Sequence, residues 1–260
     1  MRTLSYNLEK HKASGELVEL AEKLDLDFLC LQEADTLALP DELGPMHLAE
    51  ATQRNRLGLA IYHRKDRFEA QASQAFALKK SLHDRVARPA AERLLASRML
   101  DTESGREFIV ASFHAAPLTA LNSLRRAQIA AAHAQIEELG PELPHLMVGD
   151  YNYPIFKNSL SNRIAKSGYD LSLSDSLTYT RYKFFRGHFD FATSARLSID
   201  SVTTLPQGAS DHMAILVTSK LPESDEQHVI RAARPQPRGR AEGGGTHLSL
   251  PGRPARRCVR

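Results

Sequence analysis

Six segments of this chain end or open an apolar run on side chains that can do chemistry. Asn7 closes "RTLSYN", Glu33 closes "DFLCLQE" and His114 closes "REFIVASFH"; Asp150 and Asn152 close "HLMVGDYN", Asp190 stands in "HFDFATS", and Ser210, Asp211 and His212 precede the last apolar strand. The set combines carboxylates (Glu33, Asp150, Asp190, Asp211), carboxamides (Asn7, Asn152) and imidazoles (His114, His212). Hard oxygen ligands without a cysteine cluster suit magnesium or manganese rather than structural zinc. A divalent ion on a few carboxylates, with imidazoles and amides left for an anionic substrate, is the chemistry of phosphate ester hydrolysis. One polar strand end means little, but six point to a shared mouth, because ligands gather at one edge of a sheet.

The densest of these segments is "MVGDYNYP", Met147 to Pro154. Residues i and i+2 of an extended segment face the same side, so Asp150 and Asn152 can address one site together. Gly149 allows tight backbone geometry before them, and Pro154 stops the strand. Taken alone the fragment reads first as an ordinary strand-to-loop turn, since all four residue types are turn formers.

The elements that must position these groups alternate along the chain. Strand-like "RTLSYN" is followed by "GELVELAEKLD" at helical spacing, then by the strand patterns "DFLCLQE", "LGLAIYHR", "RLLASRML" and "REFIVASFH". A helix over "LNSLRRAQIAAAHAQIEELG" ends at Gly140, and "HLMVGDYN", a helix near "SLSNRIAKSG", and the strands "FDFATS" and "HMAILVTSK" complete the pattern. Runs such as "FLCLQ" and "HLMV" are apolar on both faces and predict strands covered on both sides, while "RLLASRML" and "REFIVASFH" joined by "DTESG" predict an antiparallel hairpin. Strands inside and helices outside is the expected layering.

Charge separates the chain into two parts. The 260 residues carry 34 basic and 31 acidic side chains, but residues 222–260 hold eight Arg and four acids, which leaves 26 basic and 27 acidic groups in the first 221. The body is nearly neutral. Residues 222–260, rich in Arg, Pro and Gly and without apolar periodicity, read as a disordered tail that either binds nucleic acid and other anionic surfaces or is simply a solvated end. With two cysteines, Cys30 in an apolar run and Cys258 in the tail, no disulfide framework is implied; with no secretory signal pattern or membrane span, a soluble cytoplasmic protein is expected.

The ordered motifs "YN", "LQE", "FH", "GDYN", "FDFATS" and "SDH" resemble the endonuclease/exonuclease/phosphatase superfamily, from Arg2 to about Lys220. The resemblance implies an α/β fold, a four-layered α-β-β-α sandwich of two mixed sheets with helices outside. It implies that Glu33, Asn7 and Asp211 hold magnesium (or manganese), that Asp150 orients or deprotonates the attacking water, and that Asn152 hydrogen-bonds a phosphoryl oxygen. His212 becomes the second acid/base group or an electrostatic clamp, held by a carboxylate, and His114 contacts the scissile phosphate. Asp190 of "FDFATS" is preferred to Asp200 of "SIDSV" as that carboxylate, because a further strand must intervene before "SDH".

Two basic segments are candidates to shape the substrate site. "TYTRYKFFRGHFD" interleaves Arg181, Lys183 and Arg186 with aromatic residues, and "TQRNRLGLAIYHRK" brings Asn55 and Arg56 to the start of a strand. Phosphates on the cations with a base or sugar on an aromatic face is one reading; a solvated rim over core aromatics is the other. The expected activity is a phosphodiesterase, foremost a nuclease, with small-molecule, sugar-phosphate and phospholipid esters as the alternative. A non-catalytic binding module of the same fold is the second alternative.

Overall fold

The computed structural model describes residues 1–55, 57–81, 91–153, 157–179 and 187–222. The candidate residues Arg56, Arg181, Lys183 and Arg186, and the tail after Pro222, lie outside the described residues. The chain divides into two units, Met1–Pro222 and Glu223–Arg260, and every described residue belongs to the first.

The strands are β1 (Arg2–Asn7), β2 (Phe28–Ala34), β3 (Glu42–Leu43), β4 (Met46–Ala51), β5 (Gly58–Arg64), β6 (Phe68–Ala77), β7 (Glu92–Asp101), β8 (Arg106–His114), β9 (His145–Asp150), β10 (Asp170–Leu173), β11 (Asp190–Ala195), β12 (Ser198–Thr204) and β13 (Ile215–Lys220). The helices are α1 (Leu17–Lys23), α2 (Asn122–Leu139) and α3 (Lys157–Lys166), with a 3-10 segment at Lys12–Glu16. One sheet has the order β12-β13-β1-β2-β5-β4-β3 and the other β10-β11-β9-β8-β7-β6. Each contains one parallel pair, β1 with β2 and β8 with β9. A parallel pair needs a crossover, and α1 and α2 supply the two.

Side-chain alternation in the central strands builds the layers. In β2, Phe28 and Cys30 enter the core between the sheets, where they meet Val110 of β8 and Val148 of β9, while Leu29 and Leu31 face the outer core packed on α1. In β8 and β9, Val110 and Val148 point between the sheets, whereas Ala111, Phe113 and Met147 face Ile129, Ala132 and Ile136 of α2. The result is the four-layered α-β-β-α sandwich, with two mixed sheets inside and helices outside.

The predicted hairpin is present, with Leu94 opposite Phe113 and Asp101 opposite Arg106. Strands β3, β4, β6 and β10 have no counterpart in the sequence-based pattern. Strand β6, "FEAQASQAFA", buries only its ends and pairs on one side alone, so it lacks the apolar signal of a central strand. The "SIDSV" segment lies in β12 at the edge of its sheet, where Asp200 pairs with Lys220 at 3.1 Å.

Candidate active site

The C-terminal ends of the two parallel pairs lie side by side and bring four of the six segments together. Asn7 at the end of β1 donates through Nδ2 to Oδ2 of Asp150 at the end of β9, at 3.1 Å. This bond joins the two sheets at the mouth. Beneath it Gln32 donates to Ser112 Oγ of the opposite sheet at 2.9 Å, and Ser112 Oγ donates back to Leu31 O at 3.0 Å. Both residues are buried, and each polar group has its partner, as a buried network requires.

The "LQE" motif owes its geometry to a bulge. Leu31 is opposite Ala60 and Ala34 opposite Gly58, so Gln32 and Glu33 together face a single residue of β5. An extra residue re-aims side chains and is common beside active sites. Gln32 turns between the sheets, while Glu33 adopts a left-handed conformation (φ 51°) at the mouth. Its Oε2 accepts from Lys10 N at 3.1 Å, and its carbonyl accepts from His11 N at 3.0 Å. Glu9, Lys10 and His11 are themselves all left-handed (φ 46°, 60° and 70°), as is Asn152 (φ 49°). Five such non-glycine residues around one mouth are a concentration of backbone strain of the kind that functional sites hold.

Strand β9 delivers the centre of the site. Gly149 sits so close to β8 that a Cβ there would fall on the Phe113 carbonyl, and its φ of 151° is one that side-chain-bearing residues rarely adopt. That approach carries Asp150 into the interior, where it is 1% exposed. Asp150 Oδ1 accepts from Asn152 N at 2.9 Å, and Oδ2 accepts from the side-chain amides of both Asn7 and Asn152 at 3.1 Å. Asp150 and Asn152 thus face one another across the turn. Two imidazoles flank the same Oδ2, with Nε2 of His114 at 3.6 Å and Nε2 of His212 at 3.7 Å.

Asp190 opens β11, opposite Asp150 in register, and its backbone N–H, with that of Phe189, is held by Thr178 Oγ1. Its Oδ2 lies 2.8 Å from His212 Nδ1. This leaves Nε2 of His212 directed at Asp150, in the manner of an imidazole oriented by a carboxylate. The rings of Tyr179 and Phe189 cover the imidazole at 4.8 and 6.3 Å.

Electrostatics follow from this burial. Burial alone lowers the pKa of an imidazole, but the nearby Asp190 and Asp150 carboxylates override it and hold His212 up to about 10. Asp150 is pushed above the ordinary carboxylate range, first by burial and then by Asp190, with His212 and His114 opposing. A protonated imidazole sits between two carboxylates near neutral pH.

The described residues contain one close set of potential metal ligands, which differs from the expected Glu33, Asn7 and Asp211. Asp150, Asp190 and His212 have ligand atoms within 4.8 Å of one another, the close set of this kind among the described residues. An imidazolium has no lone pair to give, so this set is better suited to moving a proton than to ligating an ion. The expected ligands Glu33, Asn7 and Asp211 stand at the mouth, and Glu9 joins them: its Oε2 accepts from Asp211 N at 3.0 Å, and its N–H donates to Asn7 Oδ1 at 3.1 Å. Half-buried carboxylates and a buried amide oxygen, free of sulfur, suit a hard divalent cation. Glu9 stands two residues after Asn7, the same spacing that drew attention to Asp150 and Asn152.

Asn55 is placed differently from the others. Its Oδ1 accepts from Ala91 N and Glu92 N at 2.8 and 3.1 Å, and its Nδ2 donates to Glu92 O at 2.5 Å. Both ends of the amide are engaged in anchoring its loop to the start of β7. A residue outside the motifs, Arg93, supports His114 from below, donating through one nitrogen to the carbonyls of His114 and Ala115 at 2.9 and 2.8 Å.

Comparison with known proteins places this geometry in context. The family model described as "Endonuclease/Exonuclease/phosphatase family" matches residues 4–212. A comparison with curated proteins finds no match. Among solved structures, a mannosyl-6-phosphatase from Bacteroides thetaiotaomicron superposes with a TM-score of 0.69 at 17% identity, covering 85% of this chain and all of the other. The human Nocturnin catalytic domain with bound sulfate gives 0.68 at 17% identity, covering 85% of this chain and 94% of the other. TDP2 of D. rerio, complexed with a single-strand DNA product, gives 0.66 at 15% identity, covering 85% and 98%. At these identities the superpositions establish the fold, and the family match spans all six motif segments. The chain belongs to the endonuclease/exonuclease/phosphatase family and is a hydrolase of phosphate esters.

Proposed function

We propose that the protein is a magnesium-dependent phosphodiesterase, foremost a nuclease, that hydrolyses its substrate by in-line attack of water without a covalent enzyme intermediate. The observation that carries this reading is the buried Asp150, which accepts from two asparagines and lies between the two imidazoles. Glu33, Asn7 and Asp211, with Glu9, would hold magnesium, which when bound supplies positive charge to neutralise the phosphate ester. Asp150, its basicity raised by burial, orients and deprotonates the attacking water. Asn152 donates to a phosphoryl oxygen as charge develops there, and a rigid, buried donor needs no reorganisation at that moment. His212, held as an imidazolium by Asp190, clamps the phosphate and is the proton source on the leaving side; His114, more open, faces the substrate.

The nuclease reading draws on the basic-aromatic segment at 180–186 and the Arg-rich tail, and we assign Arg56, Arg181, Lys183 and Arg186 to substrate phosphates on sequence grounds alone. The two cysteines, of which Cys30 is free and buried, accord with a cytoplasmic setting. No helix among the described residues is long and apolar enough to cross a membrane. A sugar-phosphate or other small phosphoester substrate is the second reading, favoured by the near-neutral body of the chain.

A panel of plasmid DNA, a labelled single strand, a sugar phosphate and a short-chain phospholipid, each with magnesium or with chelator, tests the proposal. Magnesium-dependent cleavage of the nucleic acids is the expected result. Turnover confined to the sugar phosphate or the lipid would replace the nuclease assignment while keeping the chemistry, and no turnover of any ester would overturn it.

A further inference from the structure

The Ser210-Asp211-His212 segment carries an imidazole and a proposed metal ligand, yet it is not part of a strand. Strand β13 begins to pair only at Ile215, opposite Ser5 and Thr204. An isolated bridge ties His212 to Tyr179, with Met213 N donating to Thr178 O at 2.7 Å, but the bridge stops short of Ser210 and Asp211. The backbone N–H groups from Ala209 to His212 hold the segment on its other side. Ala209 N donates to Glu16 Oε1 at 2.6 Å, Ser210 N to the Tyr6 hydroxyl at 3.4 Å, Asp211 N to Glu9 Oε2 at 3.0 Å, and His212 N to Ser210 Oγ at 3.0 Å. Ser210 Oγ in turn donates to Asn7 O at 2.6 Å. Three of these four consecutive donors therefore rest on residues 6–16, from the end of β1 through the 3-10 segment, and the fourth is tied to Asn7 through the Ser210 hydroxyl.

Two of the acceptors touch each other. The Tyr6 hydroxyl donates to Glu16 Oε2 at 2.9 Å, so Glu16 uses one oxygen on the loop and the other on the tyrosine that holds the loop's next residue. The loop is shaped to admit the pair: a Cβ at Gly208 would come within 2.7 Å of the Tyr6 hydroxyl and nearer still to Glu16 Oε2. Neither residue reaches the reacting atoms, and Glu16 lies 193 positions from its backbone partner Ala209.

We propose that Glu16 and Tyr6 are positioning residues that set the Ser210-Asp211-His212 segment, and through it the His212–Asp190 pair, for catalysis. This rests on the reading of His212 as part of the phosphate site. Removing the Glu16 carboxylate frees Ala209 N and Tyr6 together, and His212 then loses its register against Asp190. Glu16→Gln keeps an acceptor for Ala209 N and a polar contact for Tyr6.

The test uses the full chain and a chromogenic phosphodiester, bis(p-nitrophenyl) phosphate, together with the downfield proton NMR signal of the His212 Nδ1–H bonded to Asp190, assigned by its loss in Asp190→Asn. Glu16→Ala should lower kcat at least about tenfold with KM little changed and should broaden or abolish the signal, since a 1 Å displacement of a reacting group is costly. Glu16→Gln should restore both to near wild type, and Tyr6→Phe should give a smaller loss in the same direction. A purely structural role would lower stability in Glu16→Ala and leave signal and kcat in the folded protein unchanged, and that result would overturn the proposal. Should Glu16→Ala fail to fold, Tyr6→Phe decides in the same way: an unchanged signal and kcat overturn it. A wild-type protein that turns over no phosphoester would sink the proposed function, while the response of the signal would still decide whether the clasp positions His212.

Discussion

Asp150 and His212 are opposite cases of what burial does to an ionisable side chain. Both are almost inaccessible to solvent, yet Asp150 rises toward neutrality because burial dominates, and His212 rises because two carboxylates outweigh burial. Their roles follow: a carboxylate that can take a proton, and an imidazolium that can give one. Replacing His212 by Ala should therefore reduce turnover by two orders of magnitude or more, as removal of a general acid/base group does, with little change in KM; turnover within a few-fold of wild type would contradict the role. Glu33 predicts a different signature. Its half-buried carboxylate stands at the mouth, so Glu33→Ala should raise the magnesium concentration needed for half-maximal activity by about tenfold or more, and an unchanged magnesium titration would remove it from the ligand set.

At the scale of the elements, the site depends on where two strands end and how two turns are strained. Gly149→Ala would drive a methyl group into the Phe113 carbonyl and part β9 from β8 beside Asp150; a loss of more than about 3 kcal/mol in chemical denaturation is expected, and a change under about 1 kcal/mol would refute the close approach. A second prediction concerns the outer face of the same sheet. There His133 of α2 stacks on Tyr169 at 3.7 Å and contacts Thr193 Oγ1 at 3.0 Å, and His145 of β9 contacts the Tyr169 hydroxyl at 2.8 Å. Burial lowers His133 to about 3 and His145 to about 4. The unfolded chain takes up these protons near the ordinary value of about 6.5 and the folded chain does not, so the contribution of this pair is complete above that pH and is lost as pH falls toward 4. The melting temperature should drop by about 5 °C or more between pH 7.5 and 5, and by less in His133→Gln; equal drops would contradict the account.

Much of this scale was legible in the sequence, for identifiable reasons. Strands β2 and β9 are covered on both faces and read as continuous apolar runs, whereas Asp150 and Asn152 meet through a turn beyond the end of β9, with Asn152 left-handed, and not through the two-residue period of a strand. Strand β6 at the edge of its sheet, and β4 beside the two-residue edge strand β3, carry polar and small residues, so no periodicity marks them. The direction of Glu33 depends on a bulge in β2 that "LQE" does not announce. Glu9, Tyr6 and Glu16 are invisible as site residues in the sequence because their partners lie about two hundred positions away, and the engagement of Asn55 with the start of β7 joins residues more than thirty positions apart.

For the molecule as a whole, two parallel strand pairs set side by side place one cluster of polar ends where the sheets meet. The first 221 residues are nearly neutral, whereas residues 222–260 carry eight arginines against four acids. Deleting those residues should weaken binding to single-stranded DNA and flatten the dependence of affinity on salt, since counterion release scales with the cations engaged; the same affinity at two salt concentrations would dismiss the tail as a binding element. The measurement that bears most directly on the central claim is the turnover of Asp150→Asn beside wild type on the best phosphodiester substrate, with melting temperature recorded for both. The substitution keeps shape and two of the acceptor sites but removes the base, so a loss of about a thousandfold or more at closely similar melting temperature is predicted. A rate within about tenfold of wild type would mean that another group activates the water, and the account of the site would have to be abandoned.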